Sequence, residues 1–228
     1  MTKQLVLWDV DHTLIATRGV GREVFIDAFE QVTGRPLEVQ ARITGRSEMA
    51  IFQETLALHD LPRDLVDFAT FAEVLADGYE RRRGELRERG GALPGAGAAL
   101  DALAGMPSVV QTAATGNVKR VAEIKLEVFG LEQHLDLAVG AYGDDTDDRA
   151  ELIALALRRA KTAARHAVIF GDTTADVEAG RANGVLTVAV ATGRTSAEAL
   201  AGAGATHVIA DLSDTATVLR LVGSLPSD

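Results

Sequence analysis

The 228-residue chain carries 33 acidic against 23 basic side chains, a formal net charge of −10. A field of that sign repels polyanions and argues against nucleic acid or an anionic membrane as a partner. Hydrophobic residues at 47% and charged residues at 25% exclude disordered and fibrous classes, while the lack of cysteine removes disulfides, thiol catalysis and thiolate-bound zinc together.

The first apolar run, Leu5 to Trp8, follows only four residues. That spacing leaves no room for a signal peptide, and no apolar stretch approaches the roughly 20 residues that a bilayer requires. A cytoplasmic protein is expected. Aromatic residues make up only 4%, so Ala, Leu and Val must fill most of the interior, as suits helices packed on a sheet.

From Thr17 to Gly91 the sequence shows amphipathic segments and no convincing strand. Val24, Phe25, Ala28, Phe29 and Val32 form a helical stripe; a second helix is predicted over Ser47 to His59 and a third from about Arg63 to Arg89. Gly90 to Gly95 then returns the chain toward the first strand. Beyond it, apolar runs at Val109-Val110, Leu135 to Val139, Val168 to Phe170, Leu186 to Val190 and Val208-Ile209 suit strands buried on both faces. Helices are predicted between the later runs, over Val118 to Phe129, Ala150 to Ala164 and Thr174 to Asn183, with Gly130 and Gly184 as stop signals. The Gly/Ala-rich stretch Ala199 to Ala205 reads as a loop. The alternation is that of a parallel α/β sheet with right-handed crossovers, interrupted by an all-helical insertion after its first strand.

Three polar motifs fall at the carboxyl ends of these strands, where open α/β sheets bind ligands. The first is Asp9-Val10-Asp11, whose crowded carboxylates repel and call for a cation or a raised proton affinity on one of them. Alone it also reads as a solvated loop or helix cap. The second is Thr115-Gly116-Asn117, where a hydroxyl and two backbone amides at a helix start offer either an anion cradle or an ordinary cap. The third runs from Gly171-Asp172 to Asp176: Asp172 offers a hard oxygen ligand for magnesium, and Asp176 is a further ligand, a holder of the metal's waters, or a helix-start charge.

In this order the motifs resemble the haloacid-dehalogenase superfamily, whose signature is an Asp-x-Asp-x-Thr strand end, a Thr or Ser after a second strand, a basic residue and an acidic Gly-Asp motif. The resemblance covers nearly the whole chain. It implies a Rossmann-like parallel core at 1–16 and 92–228 with a helical cap at 17–91, Leu93-Pro94-Gly95 marking re-entry. It further implies that Asp9 attacks phosphorus, that Asp11 serves as acid and base, and that Mg2+ is held by Asp9, Asp172 and the backbone carbonyl of Asp11, with Asp176 beside them. Thr115, Gly116, Asn117 and a basic residue would receive the phosphoryl group. Relatives usually have Lys-Pro at the basic position; here Arg149 stands 23 residues before Asp172, and Lys119 or Lys125 are the alternatives. Thr174 replaces the proline common in the last motif, and His12 is expected to be a strand-end contact.

Asp11 argues against a true dehalogenase, which has no alkoxide to protonate. The expected activity is phosphate ester hydrolysis on a small phosphorylated metabolite, with a phosphomutase as the rival and a non-catalytic phospho-acceptor domain as a more distant one. The pattern looks most like the phosphoglycolate phosphatase group. Arg18 to Arg22 and Thr44 to Ser47 are the polar segments of the insertion placed to meet a substrate, or else solvated helix ends.

Overall fold

In the computed structural model, which describes residues 3–226, a five-stranded parallel sheet forms the core. Its strands are β1 (Gln4–Trp8), β4 (Val109–Ala113), β5 (Ala167–Gly171), β6 (Leu186–Val190) and β7 (His207–Ile209), in the spatial order β4-β1-β5-β6-β7. The first strand is an interior strand, paired on both sides, and every one of its residues is buried. Leu5 and Leu7 pack with Leu152, Ile153 and Ala179 on one face, while Val6 and Trp8 pack with Leu100, Leu103 and Val222 on the other. This is the two-faced burial that continuous apolar runs require. Trp8 stacks on Phe170 at 4.4 Å between ring centroids, and its Nε1 donates to Gln111 Oε1 at 3.2 Å.

Helices α5 (Ala96–Ala104), α6 (Lys119–Val128), α7 (Arg149–Ala160), α8 (Thr174–Ala182), α9 (Ala197–Gly202) and α10 (Thr215–Gly223) surround the sheet. Gly130 and Gly184 end α6 and α8 in the left-handed region, both at φ 68°, as their sequence positions predict. Because β1 lies between β4 and β5, the chain crosses from one side of β1 to the other. The loops after β1, β4 and β5 therefore diverge around one crevice, which places the three polar motifs together.

The insertion folds as α1 (Val20–Thr33), α2 (Glu48–Leu58), α3 (Phe68–Arg81) and α4 (Arg83–Arg89). Its entry and exit are stapled by an antiparallel pair, β2 (Ile15–Ala16) with β3 (Gly91–Ala92). Five of the seven phenylalanines lie between residues 17 and 91, and Phe52 stacks on Phe71 at 4.0 Å. Val118 at the start of α6 and Val121, Ile124 and Val128 within it join the same apolar cluster, so a helix of the core completes the interior of the cap.

Three expectations are corrected. Residues 135–139 form no strand: the Asp136 carboxylate accepts the Ala138 amide at 3.2 Å, and this local turn takes the chain off the edge of β4 after a single backbone bond, Asp136 N to Gln111 O at 2.8 Å. The helix expected over Arg63 to Arg89 starts only at Phe68, where Asp67 caps it by accepting from Thr70 N at 2.8 Å, and it breaks at Arg82. The stretch Ala199 to Ala205 is largely helical, because Ser196 caps α9 and alanine is the best helix former.

Candidate active site

The ladder of β1 extends to Asp9, whose amide donates to Phe170 O at 2.9 Å, and the next residues fold into a tight turn with His12 N on Ile15 O at 2.7 Å. His12 takes φ 60° within that turn, and its carbonyl accepts the Thr192 hydroxyl. The turn sends Asp9 and Asp11 into different surroundings. Asp9, 8% exposed, receives the guanidinium of Arg149, with Nη2 at 2.9 Å from Oδ1. Asp11 accepts at Oδ2 from Lys125 Nζ at 2.7 Å and from Asn117 Nδ2 at 2.8 Å.

Arg149 is the first residue of α7. Asp148 fixes that helix start by accepting from Ala150 N at 2.8 Å, which makes the acidic run before Arg149 a cap that aims the guanidinium. The same guanidinium donates through Nε to Asp176 Oδ1 at 2.9 Å, so it bridges two carboxylates. Asp176 is held in turn by a capping box, accepting Thr173 N at 3.1 Å and the Thr173 hydroxyl at 2.7 Å. A Cβ on Gly171 would lie 2.4 Å from Asp176 Cγ, so only glycine lets the carboxyl approach the strand end.

Asp9, Asp172 and Asp176 each offer a carboxylate oxygen within 4.8 Å of the others, and all three residues are buried. Burial and the neighbouring acids push Asp172 up to about 8 and, despite Arg149, Asp9 up to about 6. Such a cluster of hard oxygen donors, whose repulsion Arg149 relieves only in part, fits a divalent cation. The Asp11 carboxylate lies outside it. Burial would raise the proton affinity of Asp11, but the Lys125 charge and the hydrogen bonds from Lys125 and Asn117 outweigh that and hold it below the usual carboxylate range.

Thr115 is fully buried, its amide on Ala141 O at 3.1 Å, and its Oγ1 accepts from Asn117 N at 3.3 Å and Nδ2 at 2.8 Å. The Asn117 amide is thus engaged locally, and α6 begins two residues later than the motif. The Gly116 carbonyl accepts Glu48 N at 2.8 Å, and a Cβ on Gly116 would lie 2.6 Å from Arg46 O, so the polar turn of the cap rests directly on the motif. Glu48 itself accepts Val118 N at 2.6 Å, and burial pushes its carboxyl up to about 7. Lys119, one alternative to Arg149, has its Nζ over the Tyr142 ring at 5.7 Å.

A cavity of about 190 Å³ lies between cap and core, bounded by Asp9, Asp11, Thr115 and Asp172 below and by Arg22 and Tyr79 on the cap side. In the sequence Lys125 stands out only as a substitute for Arg149 and Glu48 only as a helix-start residue, while Tyr79 does not stand out. One signal was present: Lys125 stands in phase with Val118, Val121 and Ala122, a charge on the buried stripe of a helix.

Fold and site together define an α/β protein with a helical cap closed over an acidic cluster at the switch point of its sheet. The family of haloacid dehalogenase-like hydrolases matches residues 6–190, and the chain belongs to that family. Solved structures repeat the fold over nearly the whole chain. A hydrolase from Pseudomonas syringae has a TM-score of 0.70 at 22% identity, covering 96% of this chain and 98% of its own. A predicted phosphatase from Clostridium acetobutylicum reaches 0.71 at 19% identity, covering 96% and 100%. A putative beta-phosphoglucomutase from Thermotoga maritima reaches 0.63 at 21% identity, covering 96% and 99%. No curated protein matches the sequence. Among the described residues no helix is long and apolar enough to cross a membrane.

Proposed function

We propose that the protein is a cytoplasmic, magnesium-dependent phosphatase that hydrolyses a small organic phosphate monoester through an aspartyl-phosphate on Asp9. The observation that carries this reading is the division of labour at the end of β1: Asp9 borders a cavity and a three-carboxylate cluster, while Asp11, two residues on, is held by a separate pair of donors. In the first step an Asp9 oxygen attacks phosphorus, the bond from phosphorus to the alcohol oxygen breaks, and Asp11, which takes up a proton when the phosphate's negative charge is bound beside it, delivers that proton to the alcohol oxygen. In the second, Asp11 takes a proton from water as the water oxygen attacks phosphorus and the Asp9 carboxylate leaves.

Arg149 and the Thr115 hydroxyl receive phosphoryl oxygens, with Gly116 and Asn117 shaping the floor beside them. Asp9, Asp172 and the backbone carbonyl of Asp11 would hold the magnesium; Asp176 orients Arg149 and would stand beside the metal. The cation, when bound, neutralises charge on the phosphoryl group. A cavity of about 190 Å³ is smaller than the usual ligand pocket, which favours a leaving alcohol of few atoms.

The test is a screen of phosphorylated metabolites with MgCl2, scored by released phosphate and by isomerised product, an isomer pointing to a mutase instead. Asp9→Asn should abolish turnover while the folded protein survives. Substantial magnesium-dependent release by that variant would refute the assignment.

A further inference from the structure

Lys125 is the only buried lysine among the described residues, 3% exposed. It lies on α6 in phase with residues that close the apolar core of the cap, where a methionine or leucine would fit the stripe without the cost of burying an ammonium. What it touches accounts for its charge. Its Nζ is 2.7 Å from Asp11 Oδ2, it donates to Asn117 Oδ1, and it lies 5.0 Å from the centroid of the Tyr79 ring on α3. Asn117 donates to the same Asp11 oxygen at 2.8 Å and to Thr115 Oγ1 at 2.8 Å. Both donors thus converge on Oδ2, whereas Oδ1 accepts no side-chain hydrogen bond from the described residues and Asp11 borders the cavity.

We propose that Lys125 is a positioning residue for proton transfer: with Asn117 it clamps Asp11 through Oδ2, so that Oδ1 is the oxygen that exchanges a proton with the leaving alcohol. This rests on the reading of Asp11 as the acid and base of a phosphatase. Arg149 and Lys125 then divide the family's single basic role, one cation on the attacking carboxylate and one behind the proton donor.

A clamp on the acid matters in proportion to how badly the leaving group needs a proton. The experiment compares kcat/KM, which reports the steps up to release of the alcohol, across a series from p-nitrophenyl phosphate to phenyl phosphate with MgCl2. Nitrophenolate departs unprotonated, so Lys125→Met should lose severalfold or less on that substrate and about a hundredfold on phenyl phosphate, the range of general acid catalysis. Because the chain has no cysteine, Lys125→Cys can be alkylated with 2-bromoethylamine in denaturant and refolded, which rebuilds the ammonium at that position alone and should restore the shallow dependence. If Lys125→Met does not fold, Lys125→Gln takes its place in the series.

Equal losses across the series, or no loss, would overturn the proposal while leaving the phosphatase reading intact. Failure of the alkylated, folded protein to recover would overturn it as well. A wild type that releases no phosphate from the aryl series or from any phosphorylated metabolite of the screen would remove the phosphatase reading and this inference with it.

Discussion

Asp9 and Asp11 are two residues apart, yet burial raises the proton affinity of one and paired donors lower that of the other. Burial and the Asp176 charge raise Asp9 against the pull of Arg149, whereas Lys125 and Asn117 overcome burial at Asp11. Arg149→Ala should cut kcat/KM by about 10²–10³, the usual loss on removing one charged donor at a transferring group, and steady-state kinetics with p-nitrophenyl phosphate would show it. Glu48 offers a test that does not depend on turnover. Its folded carboxyl, pushed up to about 7 from the 4.5 of an exposed glutamate, holds a proton that the unfolded chain has released. Stability from this group is therefore fully present below pH 4.5 and is lost as pH rises toward 7. Glu48→Gln should remove that slope and leave the protein about 1–2 kcal/mol more stable than wild type at pH 8, as read from urea unfolding across pH. The acids and Thr115 were legible in the sequence because each follows an apolar strand. Lys125 and Glu48 were not, since their meaning lies in contacts with residues far away in the chain.

At the scale of elements, α6 does two jobs. One side closes the apolar interior of the cap through Val121, Ile124 and Val128, and its start carries the Thr115 motif toward the phosphoryl site. Ile124→Ala should cost about 2–4 kcal/mol in urea unfolding, the ordinary result of emptying a buried aliphatic site. The ion pairs that cross the same boundary, Arg83 to Glu127 and Arg120 to Glu80, are partly exposed, and Arg83→Ala should change stability by less than about 1 kcal/mol. The period of the apolar residues revealed most strands and helices. It failed at 135–139 and Ala199 to Ala205, where one local hydrogen bond from the Ala138 amide to Asp136 and one cap from Ser196 decided the conformation. The β2–β3 staple was invisible because two-residue strands have no period to read.

For the whole molecule, the buried acids at one end of the sheet outnumber the two cations that Arg149 and Lys125 supply, and Asp172 in particular is destabilising until a further cation meets it. MgCl2 at about a hundred times its dissociation constant should add about 2.7 kcal/mol, or a rise of roughly 5–10 °C in Tm. Thermal melts in MgCl2 against EDTA would measure this, and the rise should vanish in Asp172→Asn, independently of any substrate.

That α6 completes the interior of the cap also sets the order in which the protein can assemble on the ribosome. Residues 17–91 emerge with their phenylalanine-rich face lacking the valines and isoleucine of 118–128, and β1 waits longer still for β5 at 167–171. At about 5–20 residues per second this leaves apolar surface open for several seconds of synthesis. The apolar face of the nascent cap is therefore uncovered until roughly half the chain has been made, and a slow stretch of translation just after α6 would favour correct folding.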